Sequence, residues 1–225
     1  MNMGMRGSVN MPPVVKNLLI VNVIVFLAQT ILPLPLREGL LEYGALHFWK
    51  YEHFFPFQIF TYMFMHADIS HLFFNMFALW MFGRIVEYDL GSRRFLLYYL
   101  VCGMGAGLIQ LGVQSVEWSV LAAQGVVPQS LSMMRVLYST TIGASGAVFG
   151  ILLAYGMIHP NNVIMLMFPP IALKAKWFVV IYGAVELFAG VAGTGGTVAH
   201  FAHLGGMLFG WLLLRYWKKK REIFY

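Results

Sequence analysis

The sequence predicts an all-α fold, a polytopic membrane helix bundle of six transmembrane helices with both termini in the cytoplasm. Hydrophobic residues make up 60% of the 225 residues and charged residues only 11%, whereas a soluble domain carries roughly 25% charged residues. At roughly 20 residues per span, one six-helix bundle accounts for nearly the whole chain. The predicted spans are the apolar runs 14–33, 69–88, 94–113, 139–158, 176–191 and 200–217.

The first apolar run is predicted to be a retained span. Arg6 and Lys16 at its start fit a signal peptide, but no small-x-small cleavage site follows, and the run ends at Pro33-Leu34-Pro35. The chain therefore divides into a cytoplasmic N-terminal segment (1–13), a six-span membrane domain (14–217) and a basic cytoplasmic tail (218–225).

The stretches between the spans are predicted to be connections. Residues 54–65 are short and aromatic and lead into the second span. Residues 163–173 contain Pro169-Pro170 and are predicted to lie at the membrane interface. Residues 114–138 form the longest polar insertion and are predicted to be a surface loop.

The basic residues set the predicted orientation. With both termini inside, twelve of the fifteen lysines and arginines fall on the cytoplasmic side, and only Arg37, Lys50 and Arg135 fall outside, as the positive-inside rule requires. The net charge of +6 therefore reflects topology and a tail that can meet anionic lipid headgroups, and we expect no nucleic-acid partner. Cys102 is the single cysteine, so the chain can form no intramolecular disulfide.

Four polar residues are predicted to share one layer of the membrane. Spans two, four and six all run from outside to inside in this topology. His71, Asn75, Ser145 and His203 then lie within roughly 5–12 Å of the outer ends of their helices, at 1.5 Å of rise per residue. Polar groups at this depth face protein or a water-filled cavity and are candidates for function.

Ser145 and His203 are the candidate nucleophile and base. Ser145 lies in Gly143-Ala144-Ser145-Gly146, where small neighbours would let a peptide carbonyl approach its hydroxyl. The alternative is that the Ser145 hydroxyl bonds to a carbonyl of its own helix and that the glycines allow close helix packing. His203 shares a helix face with Gly206 and Gly210, which would let span six press against span four. A histidine can take a hydroxyl proton at neutral pH; the alternative is a histidine bonded to a carbonyl near the interface.

His71 and Asn75 are candidate donors to an oxyanion, because they are separated by four residues and face the same way. The alternative is that Asp68 or Ser70 caps the start of the helix and that Asn75 forms an interhelical hydrogen bond. We expect both: Asp68 and Ser70 as caps, and His71 and Asn75 as site residues. Spans two, four and six carry no aspartate or glutamate at this depth, so the sequence predicts a Ser-His dyad. No metal site is predicted; a zinc site from His71, His200 and His203 is conceivable, but it has no carboxylate ligand at this depth.

These motifs resemble the rhomboid family of intramembrane serine proteases. The resemblance covers residues 14–217 and rests on His66-x4-His71-x3-Asn75, Gly143-Ala144-Ser145-Gly146 and Ala202-His203-Leu204-Gly205-Gly206. It implies Ser145 as nucleophile and His203 as general base. It also implies an oxyanion hole from His71, Asn75 and the Ser145 N–H, with His66, Gly143, Gly146, Phe149 and Gly206 as supporting residues.

The resemblance also implies a function and a place. Family members cleave transmembrane or membrane-proximal segments of other membrane proteins without metal or cofactor. The expected location is the cell membrane, with the active site open to the extracytoplasmic side. We expect the loop 190–199, with Gly193, Gly195 and Gly196, to be a mobile cap and span five to be a lateral gate.

The sequence departs from the family pattern at two places. Phe57-Gln58 replaces the family's Trp-Arg, so the anchoring of the first loop can differ. Phe149 replaces a tyrosine that stacks on the histidine, so the stack can persist without the hydroxyl.

The sequence leaves two alternative functions. One is a rhomboid-like pseudoprotease that binds transmembrane helices without cutting them, and the other is a transporter or proton channel that uses His71, Asn75 and His203 as a relay.

Overall fold

The structure is a computed structural model that describes residues 11–166, 170–193 and 199–220, and these are mostly helical. The elements in chain order are α1 Pro13–Ile31, α2 Leu34–Gly44, β1 Leu46–His47, α3 Gln58–Thr61, a 3-10 turn Tyr62–Phe64, α4 Ile69–Ala78, a π-helical turn Leu79–Gly83, α5 Arg84–Leu90, α6 Ser92–Ala123, α7 Leu131–Leu137, β2 Thr140–Thr141, α8 Ser145–Ile158, β3 Val163–Met165, β4 Ala172–Lys174, α9 Ala175–Ala192 and α10 His200–Lys219.

The described helices fit a polytopic membrane protein. Four helical segments are long and apolar enough to cross a bilayer, namely α1, the continuous stretch from α4 to α5, α6 and α9. Helix α8 is apolar but has only 14 residues, and α10 has 20 residues with a basic last turn. The six-span topology and the placement of both termini stay predictions.

Helix α1 is attached to the bundle by a buried carboxylate. It begins with Pro13, which suits a first helical turn because proline lacks an N–H. Glu87 of α5 accepts from the first-turn N–H groups of Val14 at 3.0 Å and Val15 at 2.7 Å, and from the hydroxyl of Ser92 at 2.6 Å. A negative charge at a helix N-terminus is favourable, so this residue joins three elements at one point.

Helix α6 corrects the prediction that residues 114–138 form a surface loop. The helix continues to Ala123, and α7 follows after a short turn. Polar residues that suggested a loop bond from α6 to neighbouring segments: Gln114 donates to Ser139 Oγ at 2.7 Å, and Ser115 accepts from Trp49 Nε1 at 2.8 Å. Polar composition was therefore a poor guide here, because these side chains tie a helix to the turns beside it.

The two helices that carry Ser145 and His203 are in close contact. Helix α10 packs against α8 and α6. A Cβ added at Gly206 would collide with the backbone of Gly146, and one added at Gly150 would lie 3.2 Å from the carbonyl oxygen of Gly206. Small residues thus set the separation of these helices, as the sequence predicts.

Helix α8 begins six residues later than its predicted span 139–158. The chain before it is extended, and β2 pairs antiparallel with β1, with Leu46 opposite Thr141 and His47 opposite Thr140. Fourteen residues give about 21 Å of helix, less than the roughly 30 Å of a bilayer core. Ser145 is the first residue of this short helix.

The connection at 163–173 contains a short hairpin. Strands β3 and β4 pair antiparallel, with Val163 opposite Lys174 and Met165 opposite Ala172. Pro169 lies outside the described residues. The hairpin leads directly into α9, which is mostly exposed on the side of the bundle.

Candidate active site

Ser145 and His203 meet in the structure although 58 residues separate them in sequence. Ser145 Oγ lies 2.8 Å from His203 Nε2. Both side chains are half-buried. A hydroxyl at this distance can donate its hydrogen to an unprotonated ring nitrogen, so the pair has the geometry of a serine and its general base.

Glu186 is a residue that the sequence prediction missed. Its Oε2 lies 2.9 Å from His203 Nδ1 and 2.7 Å from His200 Nδ1, and the residue is 8% exposed. The expectation that no carboxylate lies beside His203 is therefore wrong. The prediction considered spans two, four and six alone, whereas Glu186 lies on α9, the fifth predicted span. The available signal was an acidic residue in the apolar run 176–191.

Aromatic rings hold the imidazole of His203 from its face. Phe149 stacks on it with centroids 4.3 Å apart and planes 6° apart. Tyr182 of α9 stacks on the other side of Phe149 at 5.2 Å, and Phe178 continues the series at 5.5 Å. The expected stack is thus present without a tyrosine hydroxyl, and it links α10, α8 and α9.

Gly143 shapes the space beside Ser145. Its φ is +127°, a conformation that favours glycine. A Cβ at this position would lie 2.7 Å from His71 Nε2 and 3.7 Å from Ser145 Oγ. Its own N–H donates to Tyr62 O at 2.9 Å, which fixes the turn. Only a residue without a side chain leaves room between the imidazole and the hydroxyl.

His71 presents a ring nitrogen toward that space. Asp68 caps α4 by accepting the His71 N–H at 2.8 Å, and the ring's Nδ1 accepts from Ala67 N at 3.3 Å. In a neutral ring whose Nδ1 is an acceptor, Nε2 carries the hydrogen. His71 Nε2 is therefore a hydrogen-bond donor next to Gly143.

Asn75 lies one turn below His71 and is buried. Its amide donates to His71 O at 2.9 Å, within its own helix. An amide nitrogen has two hydrogens, so one remains for another acceptor. This bond of the Asn75 amide lies within α4, and a role of Asn75 in an oxyanion hole stays a prediction.

His66 supports His71 from outside the helix. It is buried, and its ring lies edge-on to His71 with centroids 5.0 Å apart. Gln29 of α1 bonds both backbone groups of His66. Burial, and then the neighbouring His71, lower the pKa of His66 to about 4, so the ring is neutral at physiological pH.

The loop before α4 is anchored by Gln58, the second residue of Phe57-Gln58. Gln58 is fully buried. It donates to Glu42 O at 3.2 Å and His53 O at 2.9 Å, and accepts from the N–H groups of His47 and Phe55. An uncharged amide thus fastens this loop by four hydrogen bonds.

Two further expectations meet the structure in part. Glu186, His200 and His203 offer ligand atoms within 4.8 Å of one another and could hold a metal ion, a set that differs from the His71, His200 and His203 considered from sequence. Of the expected cap over the site, Gly193 ends α9 with a φ of +63°, whereas Gly195 and Gly196 lie outside the described residues.

Comparison with known proteins identifies similar sequences. The sequence model of the Rhomboid domain matches residues 54–220. The chain is 32% identical over 176 residues to Rhomboid-like protein 11, chloroplastic, of Arabidopsis thaliana, covering 73% of this chain and 55% of that protein. It is 31% identical over 163 residues to Rhomboid protein 1, mitochondrial, of Saccharomyces cerevisiae, covering 71% of this chain and 42% of that protein.

A bacterial relative matches over a larger share of its length. Rhomboid protease AarA of Providencia stuartii is 26% identical over 222 residues, covering 92% of this chain and 73% of that protein. The chain otherwise spans about half the length of the plant and yeast relatives described above.

Proposed function

The chain belongs to the rhomboid family, and from that premise we propose that it is an intramembrane serine endopeptidase. It cleaves transmembrane or membrane-proximal segments of other membrane proteins. The observation that carries the proposal is the 2.8 Å contact between Ser145 Oγ and His203 Nε2 in a membrane helix bundle. The similarity to a bacterial rhomboid protease supports it.

Acylation follows from the roles of Ser145 and His203. Ser145 Oγ attacks the carbonyl carbon of the scissile bond while His203 Nε2 takes the hydroxyl proton. The tetrahedral intermediate collapses, the C–N bond breaks, and His203 gives the proton to the leaving amine. A water molecule then attacks the acyl-enzyme, again with His203 as base, and frees Ser145.

The oxyanion is stabilised by donors around Gly143. His71 Nε2 and the remaining hydrogen of the Asn75 amide act with the N–H of Ser145. Because Ser145 is the first residue of α8, its N–H has no acceptor within the helix, and the helix dipole favours negative charge at that end. Removal of one such donor typically costs 10²–10³-fold in kcat.

Access for substrate and water follows from the proposed topology. The site opens toward the extracytoplasmic side of the cell membrane through the polar layer, and the substrate helix unwinds locally to expose its carbonyl. Helix α9 is the lateral gate, since few of its side chains are buried in the bundle. Substrates with helix-breaking residues near the cleavage site are expected to be favoured because they unwind at lower free energy.

Cleavage of a fluorescent transmembrane reporter tests the proposal. Purified wild type is expected to cut the reporter in detergent and in liposomes, and EDTA is expected to leave the rate unchanged. Ser145→Ala is expected to abolish cleavage, while Ser119→Ala, an exposed serine on α6, retains it.

Two results would count against the proposal. Cleavage that persists in Ser145→Ala would exclude Ser145 as the nucleophile. A folded wild type that cuts none of a panel of reporters, and that does not react with a fluorophosphonate, would indicate the pseudoprotease.

A further inference from the structure

We propose that Glu186 is a positioning residue for His203, whose carboxylate orients the imidazole of the Ser145–His203 pair. The inference rests on the proposed protease function. It concerns a residue on α9, outside the helices that supply the serine and the histidine.

The hydrogen bonds select one tautomer of His203. An ionised carboxylate can only accept, so the contact of 2.9 Å between Glu186 Oε2 and His203 Nδ1 places a hydrogen on Nδ1. The lone pair of Nε2 is then directed at Ser145 Oγ, 2.8 Å away. This is the form of the imidazole that can accept the hydroxyl proton.

The position of Glu186 needs an explanation beyond packing. A buried carboxylate in a membrane helix is unfavourable unless it is paired and hydrogen-bonded, and Glu186 is 8% exposed. Its carboxylate is paired with the imidazoles of His203 and His200. We therefore expect the carboxylate of Glu186 to act on the histidine rings that it contacts.

The charge of Glu186 acts on the step in which His203 becomes an imidazolium. The titratable groups around His203 come from each helix at the site: Glu186 and Tyr182 from α9, His200 from α10 itself, and His71 from α4, with the Ser145 hydroxyl on α8. Of these, Glu186 is the negative group in contact with the ring. It stabilises the protonated ring during acylation and deacylation.

His200 shares the same oxygen of Glu186 and defines the alternative role. If the carboxylate acted only as a latch between α9 and α10, its partner would be His200, at 2.7 Å. Removing His200 would then have the same effect as removing the charge of Glu186. If Glu186 serves His203, the two changes have different effects.

The test compares Glu186→Gln, Glu186→Asp and His200→Asn by reporter cleavage as a function of pH. Glu186→Gln is expected to lower kcat by about 10²–10⁴-fold and to change KM by less than about threefold, because the substrate is not contacted. The acid limb of kcat/KM is expected to move to lower pH by about one unit, since the imidazolium loses a negative neighbour. Glu186→Asp keeps a carboxylate, so its acid limb is expected to stay at the wild-type pH with an intermediate rate.

Glu117→Gln is the matched control, because Glu117 pairs with Arg135 on the surface away from the site; its kcat and pH profile are expected to equal those of wild type. A Glu186→Gln protein with wild-type kcat and acid limb overturns the inference alone. So does a His200→Asn protein that reproduces both the rate loss and the pH shift. A wild type that neither cleaves a reporter nor reacts with a fluorophosphonate overturns the proposed function as well.

Discussion

At the residue scale, Gly143 shows why the site requires a glycine in front of the serine. Its backbone has a φ of +127°, and an added Cβ would lie 2.7 Å from His71 Nε2. The first condition disfavours any residue with a side chain by about 1–2 kcal/mol. The added Cβ would also fill the space in which an oxyanion would meet its donors, so two separate conditions require glycine at position 143.

Gly143→Ala is expected to lower cleavage by about 10²-fold, because a displaced His71 or Ser145 disrupts the reacting geometry. Gly125→Ala is the matched control: Gly125 also has a positive φ of +74°, but an added Cβ would meet nothing within 4 Å. The control is expected to share the backbone strain, visible as a lower Tm, and to keep its activity. Equal activity of the two variants would show that the space next to His71 is not needed.

His66 leads to a prediction about pH and stability. Its pKa in the folded protein is lowered to about 4, whereas an unfolded histidine titrates near 6.5. Between these values the unfolded chain binds the proton and the folded protein does not, so folding stability falls as the pH decreases from about 6.5 through about 4. The loss from this residue alone is about 3 kcal/mol.

Melting curves in detergent at pH 7 and pH 4.5 test this prediction. The Tm of wild type is expected to fall more between these pH values than the Tm of His66→Asn, which has no ring to protonate. Parallel decreases in the two proteins would mean that protonation of His66 does not destabilise the folded state.

The residues of the site were predictable from sequence to different degrees. Ser145 and His203 stood out because polar side chains in apolar segments need a reason to be there, and the structure places them in contact. Glu186 is also a polar residue in an apolar segment, but the prediction considered only spans two, four and six and therefore missed it. The prediction missed Glu186 because of the span on which it lies, and not because of its residue type.

At the scale of elements, the start of α8 was the least predictable feature. The run 139–158 carries no charge, and hydropathy does not distinguish an extended apolar segment from a helix. Thr140 and Thr141 are β-branched and pair with β1, which delays the helix to Ser145. The polar residues after position 113 suggested a loop but lie in a helix, where Gln114 donates to Ser139 in the segment before β2.

Gly206→Ala tests the packing of α8 against α10. Its Cβ would collide with the Gly146 backbone, and backbone atoms cannot move aside cheaply; overpacking typically costs 1–3 kcal/mol. The variant is expected to show a lower Tm, and also reduced cleavage, because the Ser145–His203 distance depends on this contact.

Gly112→Ala is the control for Gly206→Ala. Gly112 lies in the helix α6 and an added Cβ would meet nothing within 4 Å, so alanine is expected to stabilise it slightly through its better helix propensity. If both variants melt at the wild-type temperature, the helices do not need the close approach.

At the scale of the whole molecule, the distribution of lysine and arginine predicts the orientation that the mechanism needs. The proposed site is accessible to water from outside only if spans two, four and six run inward. The four apolar helical segments that could cross a bilayer fit a multi-pass protein, and the basic last turn of α10 fits a cytoplasmic end.

Single-cysteine labelling in intact cells tests the orientation. Gln129→Cys, between α6 and α7, is expected to react with a membrane-impermeant maleimide, and Asn161→Cys, between α8 and β3, only after permeabilisation. Both positions are exposed, and the native Cys102 is buried and serves as an internal blank. The opposite pattern would place the site on the cytoplasmic side.

The polytopic helical character and the family motifs were available from hydropathy and spacing, whereas the connections were not. The β3–β4 hairpin and the Gln58 anchor arise from backbone pairing and from hydrogen bonds between residues that are distant in sequence. Such contacts have no periodic signature, so only the folded chain reveals them.

The most direct measurement of the central claim is covalent labelling of the folded protein by a fluorophosphonate, with the modified residue located by mass spectrometry. Activation of Ser145 by His203 predicts one phosphonyl adduct on Ser145 that is lost or slowed by orders of magnitude in His203→Asn. A folded wild type without an adduct on Ser145, or equal labelling in His203→Asn, would contradict it.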